Sequence, residues 1–149
     1  MIKKTILLFF AVMLAISLIS CAHELGDGFR SAVISKPEEH KHVYEAKEKV
    51  ILKSIAGVLE EKKIGDNISI DYNHNRVDSD YVISDDWRIK TNARVKRLNW
   101  KECEVSLIVT TEKKTKTGWE LRRLLGKDQY DSFFSVIDLK IYEEMYKVE

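Results

Sequence analysis

Four kinds of side chain in this sequence could do chemistry: histidines, clustered aspartates, two cysteines, and a row of alternating cations with tryptophans near it. His40 and His42 stand two apart at an expected helix start, which would put them on different faces, and His23 and His74 are remote. A zinc site needs three or four ligands converging at helical or turn spacing, so these histidines read as solvated. Asp78, Asp80, Asp85 and Asp86 lack both the spacing and the glycine of a calcium loop. There is no glycine-rich phosphate loop, nucleophile elbow or His-Glu-x-x-His, and 24 acidic residues offer paired carboxylates without singling out a pair. The expectation is a protein that is not an enzyme, with no catalytic residue, no metal ligand and no cofactor.

The cations carry more information. Arg88, Lys90, Arg94 and Lys96 alternate with Ile89, Ala93 and Val95. On a strand that spacing sends all four cations to one face and the apolar residues to the other. Residues 88–127 hold twelve Lys and Arg against four Glu, a formal +8. The rest of the chain after the first 20 residues holds eleven against 20 acids, or −9, so a net charge near zero conceals strong polarity. Two readings stay open. The row is a solvated sheet face guarded against edge pairing, or it docks an anionic partner such as lipopolysaccharide phosphates, phospholipid headgroups or an acidic protein. Trp87, Trp100 and Trp119 flank it and would either join such a surface or cover a core edge.

The N-terminus supplies an address. Lys3 and Lys4 precede an apolar run over residues 6–19. A 14-residue helix rises about 21 Å, short of the roughly 30 Å hydrocarbon core, so the run reads as the apolar region of an export signal rather than a permanent span. It ends in Leu18-Ile19-Ser20-Cys21, which resembles the lipobox of bacterial lipoproteins, Ile19 being a departure from the commoner Ala, Ser or Thr. The resemblance implies cleavage before Cys21, diacylglycerol on its sulfur (a covalent lipid and no other cofactor), and a place in the cell envelope. By the sorting rule of enteric bacteria, Ala22 after the cysteine implies the outer membrane, facing the periplasm. Export also makes a nucleic-acid partner improper to the compartment. With Cys21 acylated, Cys103 is left without a disulfide partner. It lies where odd positions are apolar, in Cys103, Val105, Leu107 and Val109, and reads as a buried strand residue between two glutamates rather than a reactive thiol.

These residues must be positioned by elements. Residues 1–20 read as the signal, 21–36 as lipidated cysteine and tether, and 37–149 as a single α+β domain. Ser35-Lys36-Pro37-Glu38 has the form of a capping box, and Val43, Ala46, Val50, Ile51, Ser54, Ile55, Val58 and Leu59 recur at helical spacing, so a first helix is expected from Pro37 to the Gly65-Asp66 break. Gly57 within it marks close packing against a sheet or a weak point. Alternation then predicts strands at 68–72, 77–83, 89–95, 103–111 and 119–125. Asp128 would cap a last helix with the stripe Tyr130, Phe133, Phe134, Ile137, Ile141, Tyr142 and Met145. The expected fold is an antiparallel sheet of four or five strands with an N-terminal and a C-terminal helix packed on one face, leaving the other face open. That layout, with the segment Asp78-Ser79-Asp80-Tyr81-Val82-Ile83-Ser84-Asp85-Asp86-Trp87 after the first helix, resembles the helix-grip domains of BamC-like outer-membrane lipoproteins. The expected function is a lipid-anchored, non-catalytic binding or assembly module. Alternatives are a carrier of a small ligand or lipid in a groove between helix and sheet, lined by Tyr130, Phe134 and Ile137, or an envelope hydrolase.

Overall fold

The structure is a computed structural model and describes residues 33–147. The signal, Cys21 and most of the expected tether therefore lie outside the described residues. Element order is β1 (Glu39–Tyr44), α1 (Glu48–Lys62), β2 (Asp66–Asp71), β3 (Arg76–Asp80), β4 (Val82–Ser84), β5 (Trp87–Arg97), β6 (Cys103–Thr115), β7 (Gly118–Leu121) and α2 (Lys127–Tyr146).

A helix was expected from Pro37, but Glu39–Tyr44 is a strand antiparallel to β6, from Glu39 opposite Ile108 to Tyr44 opposite Cys103. The capping motif loses because pairing with β6 lets His40, His42 and Tyr44 turn together toward α2. The helix proper starts at Glu48 after Lys47, with no side-chain cap. It is held instead by its buried stripe of Ile51, Leu52, Ile55, Val58 and Leu59. Lys63 ends it in the left-handed region at φ 53°, with the Ile64 N–H donating to the Leu59 carbonyl over 3.2 Å.

The sheet has seven strands rather than four or five, in the order β1-β6-β5-β3-β2, with β4 added beside β5 and β7 beside β6. Two features hide the extra strands from local pattern. The expected strand 77–83 breaks at Tyr81 into β3 and β4, and β1 occupies the start of the expected first helix. The long hairpin of β5 and β6, in register from Trp87 opposite Lys113 to Arg97 opposite Cys103, is the spine. Packing against the sheet begins ahead of Pro37, since Val33 bridges Arg122 and the Ile34 N–H reaches the Leu121 carbonyl.

Both helices lie on one side, α1 against β2, β3, β5 and α2, and α2 also against β1. Val77, Ala93, Val95, Cys103, Val105 and Leu107 meet Ile51, Ile55, Leu59, Phe134 and Ile137 in one core. Gly57 serves the contact between helices rather than one with the sheet, because a Cβ there would press on the Lys140 side chain at 3.2 Å. Asp128 is not the cap of α2. Gly126 holds that position and its N–H donates to Gln129 Oε1 at 2.9 Å, while Asp128 sits in the first turn, where its charge suits the helix dipole. The stripe of α2 is buried at Tyr130, Phe134, Ile137 and Ile141, but Tyr142 and Met145 at its end are exposed.

Candidate docking face

On β5 the odd residues Thr91, Ala93 and Val95 are buried under the helices. Strand alternation therefore brings Arg88, Lys90, Arg94 and Lys96 together on the helix-free face, in the middle of the sheet. Their neighbours on β6 are, in register, Glu112, Thr110, Ser106 and Glu104. The four cations have different circumstances.

Arg88 is half-buried and paired with Glu112, and its guanidinium lies 4.2 Å from the Tyr81 ring centroid and 4.7 Å from that of Trp119. It is a structural tie between the break that separates β3 from β4 and the strands β5, β6 and β7. Lys90 reaches over the same Tyr81 ring at 4.8 Å. Arg94 and Lys96 are exposed. Among the described residues neither has an ion-pair partner: Glu104, opposite Lys96, is engaged by Lys41 at 3.3 Å, and Arg76, opposite Arg94, is held by Asp78 at 2.6 Å. Around Arg94 the side chains of Glu39, Arg76, Asp78, Asn92, Ser106 and Ile108 enclose a shallow hollow of about 350 Å³. Asn92 Nδ2 donates to Asp78 Oδ1 at 2.7 Å, so Asp78 is satisfied from two sides. The hollow thus has one uncommitted guanidinium, Arg94, suited to an anionic group, and one carboxylate, Glu39, that has no ion-pair partner among the described residues.

Ion pairing also thins the basic segment. Of its twelve cations, Arg88, Arg97, Arg122, Arg123 and Lys127 pair with Glu112, Glu48, Glu120, Glu38 and Asp131. The charge left uncompensated near the sheet centre is concentrated on Lys90, Arg94 and Lys96.

The histidines lie otherwise than their spacing on a helix implies. His40 and His42 share one face because they lie on a strand, and they are not simply solvated. The His40 ring stacks on Tyr130 at 3.7 Å between centroids, and that of His42 lies 5.2 Å from Phe134. The aspartates disperse: Asp78 joins Arg76 and Asn92, Asp80 accepts from Asn67, and Asp85 takes the β4–β5 turn at φ 52°. No cluster of three or more His, Cys, Asp or Glu that could hold a metal is found among the described residues. Cys103 is buried at 1% exposure against the Ala46 carbonyl, as the alternation on its strand implies, and burial pushes its thiol up from the ordinary value. No helix among the described residues is long and apolar enough to cross a membrane.

Sequence reasoning missed the aromatic clamp on Arg88. Tyr81 falls in a strand break and Trp119 on another hairpin, so no local spacing joins them. It also missed the exposure of Trp100, which reaches 84%. No family model and no curated protein sequence matches the chain.

Proposed function

We propose that this chain is a bacterial envelope lipoprotein, anchored through Cys21 to the outer membrane on its periplasmic side, whose folded domain is a non-catalytic binding or assembly module. The anchor rests on Leu18-Ile19-Ser20-Cys21 following the short apolar run. Two or three acyl chains, at about 0.8 kcal/mol per buried CH₂, would hold the protein without help from the domain. What the domain adds is a surface.

The observation that carries the binding reading is the placement of Arg94 and Lys96, exposed and without ion-pair partners beside an open hollow on the helix-free face. A partner presenting phosphates or carboxylates would complete those charges. At about 1 kcal/mol per basic residue near an anionic surface, the row orients a docked partner rather than supplying anchorage. The carrier reading has less support. Tyr130, Phe134 and Ile137 are buried in the core, and the space beside Tyr130 lined by Val109, Leu124 and Leu125 amounts to about 10 Å³, the lower limit for one water.

Crosslinking and affinity purification of the lipidated protein from membranes tests the proposal, with Cys21→Ser as the anchorage control and Arg94→Glu/Lys96→Glu as the docking control. A specific envelope component should co-purify with the wild type, weaken as salt rises, and be lost from the double variant. Capture that persists in the double variant, or that salt does not affect, refutes the face. Recovery of Cys21→Ser in membranes to the same extent as wild type refutes the anchor.

A further inference from the structure

The end of the β5–β6 hairpin has a surface that shares only Lys96 with the docking face. Leu98, Asn99, Trp100, Lys101 and Glu102 connect the two strands, with Lys96 and Arg97 just before them. Trp100 is 84% exposed and Leu98 is also exposed. The turn that displays them is braced: Asn99 Oδ1 accepts from the Lys101 and Glu102 N–H groups at 2.8 and 2.9 Å, and the Leu98 N–H donates to the Glu102 carbonyl at 2.9 Å. The tip is thus pre-organised, and little ordering cost is left for a binding event.

Beside it lies a hollow of about 550 Å³ lined by Glu45, Ala46, Lys47, Val50, Trp100, Lys101 and Met145, two lysines against one carboxylate. Met145 and the next residue, Tyr146, are exposed at the end of α2. The Lys101 ammonium lies over the Trp100 ring at 4.7 Å. Among the described residues no carboxylate pairs with Lys47, Lys96 or Lys101, whereas Arg97 is taken by Glu48.

We propose that this tip is a contact site for an anionic phospholipid surface, with Trp100 and Leu98 entering the boundary between headgroups and acyl chains and Lys47, Lys96 and Lys101 meeting the phosphates. The composition distinguishes this occupant from a protein. Cores of protein interfaces enrich aromatic residues but are depleted of lysine. Tryptophan and tyrosine mixed with uncompensated lysine is the chemistry of the membrane–water boundary. The proposal rests on the envelope reading above, which places the chain next to such a surface. The twelve peptide steps between Cys21 and Val33 span at most about 40 Å when extended.

The test uses the chain as cells produce it, reconstituted into phosphatidylcholine vesicles with and without phosphatidylglycerol. The Trp100 signal is the emission of wild type minus that of Trp100→Phe, a substitution at an exposed site that leaves the core untouched. Brominated lipid should quench that difference at least about twofold in anionic vesicles and much less in neutral ones, and Lys101→Glu/Lys47→Glu should abolish the quenching. A difference spectrum that stays accessible to iodide and indifferent to brominated lipid overturns the site, as does equal quenching in both vesicles. Shielding that appears only on adding envelope extract also overturns it, in favour of a protein partner. Mass spectrometry of the Cys21 peptide from the same sample reads the anchor separately. Absent acyl groups with quenched Trp100 remove the anchor and keep the tip; acylated Cys21 with unquenched Trp100 does the reverse.

Discussion

At the scale of single residues, the cations of β5 divide into two kinds that look alike in the sequence. Arg88 has its planar guanidinium held by Tyr81, Trp119 and Glu112, so its removal takes away packing and strands a half-buried carboxylate. Arg88→Ala should cost about 1–3 kcal/mol in urea unfolding, and Arg88→Lys should recover only part of it, because an ammonium cannot stack and pair in the same plane. Arg94→Ala and Lys96→Ala should stay within about 0.5 kcal/mol of wild type, as exposed side chains without partners. An Arg94 variant as destabilising as Arg88→Ala would show that the two residues do not differ in role. The row itself was legible from alternation; the division within it depends on Tyr81 and Trp119, which reach Arg88 from the β3–β4 break and from β7.

At the scale of elements, the least obvious joint is the one between α1 and the sheet. After Lys63 ends the helix, the chain passes Gly65 directly over Ser79, and a Cβ at Gly65 would fall on the Cβ and Oγ of that serine. Ser79 cannot easily yield, because its Oγ accepts the Thr91 N–H at 2.9 Å, and Thr91 Oγ1 in turn donates to the Ile64 carbonyl at 3.0 Å. Gly65→Ala should therefore lose about 1–3 kcal/mol through overpacking. In a double-mutant cycle with Ser79→Gly the losses should be less than additive, since the second change removes the obstacle; additive losses would mean that the clash is relieved elsewhere. Gly65 was legible as a helix stop but not as a packing position, since Ser79 lies on a strand 14 residues later. The helix wrongly placed at 37–47 has a similar cause. A capping motif is a local preference worth roughly 1 kcal/mol, and six residues of pairing with β6 outweigh it.

At the scale of the whole molecule, the seam between β1, β6 and α2 ties the sheet to its helices through two buried phenols. Tyr44 Oη donates to the Phe134 carbonyl at 2.7 Å, and Tyr130 Oη accepts the Val109 N–H at 3.3 Å. Burial raises both phenols above their ordinary value of 10.0, with Asp138 adding to the rise at Tyr44, while at Tyr130 the hydrogen bond with Val109 opposes it and Glu38 adds to it. The folded protein then holds protons that the unfolded chain releases. The resulting stability is complete below pH 10 and lost as pH rises beyond it, by up to about 1.4 kcal/mol per pH unit for each phenol. Alkaline unfolding curves should show that slope, and Tyr44→Phe should flatten it while costing about 1 kcal/mol at neutral pH for the missing bond. A Tyr44→Phe curve parallel to wild type above pH 10 would remove Tyr44 from the seam.

The sequence by itself determined the α+β class, the alternation that buries Cys103 and aligns Arg88, Lys90, Arg94 and Lys96, and the terminal helix beginning near Lys127. Each follows from a period of two or 3.6 residues, a local property of the chain. Only the tertiary structure decided that Glu39–Tyr44 is a strand, that Arg88 is tied while Arg94 and Lys96 are open, and that Trp100 stands outside the core. These depend on which distant segment lies alongside, and neighbours far apart in the chain leave no signal in local spacing.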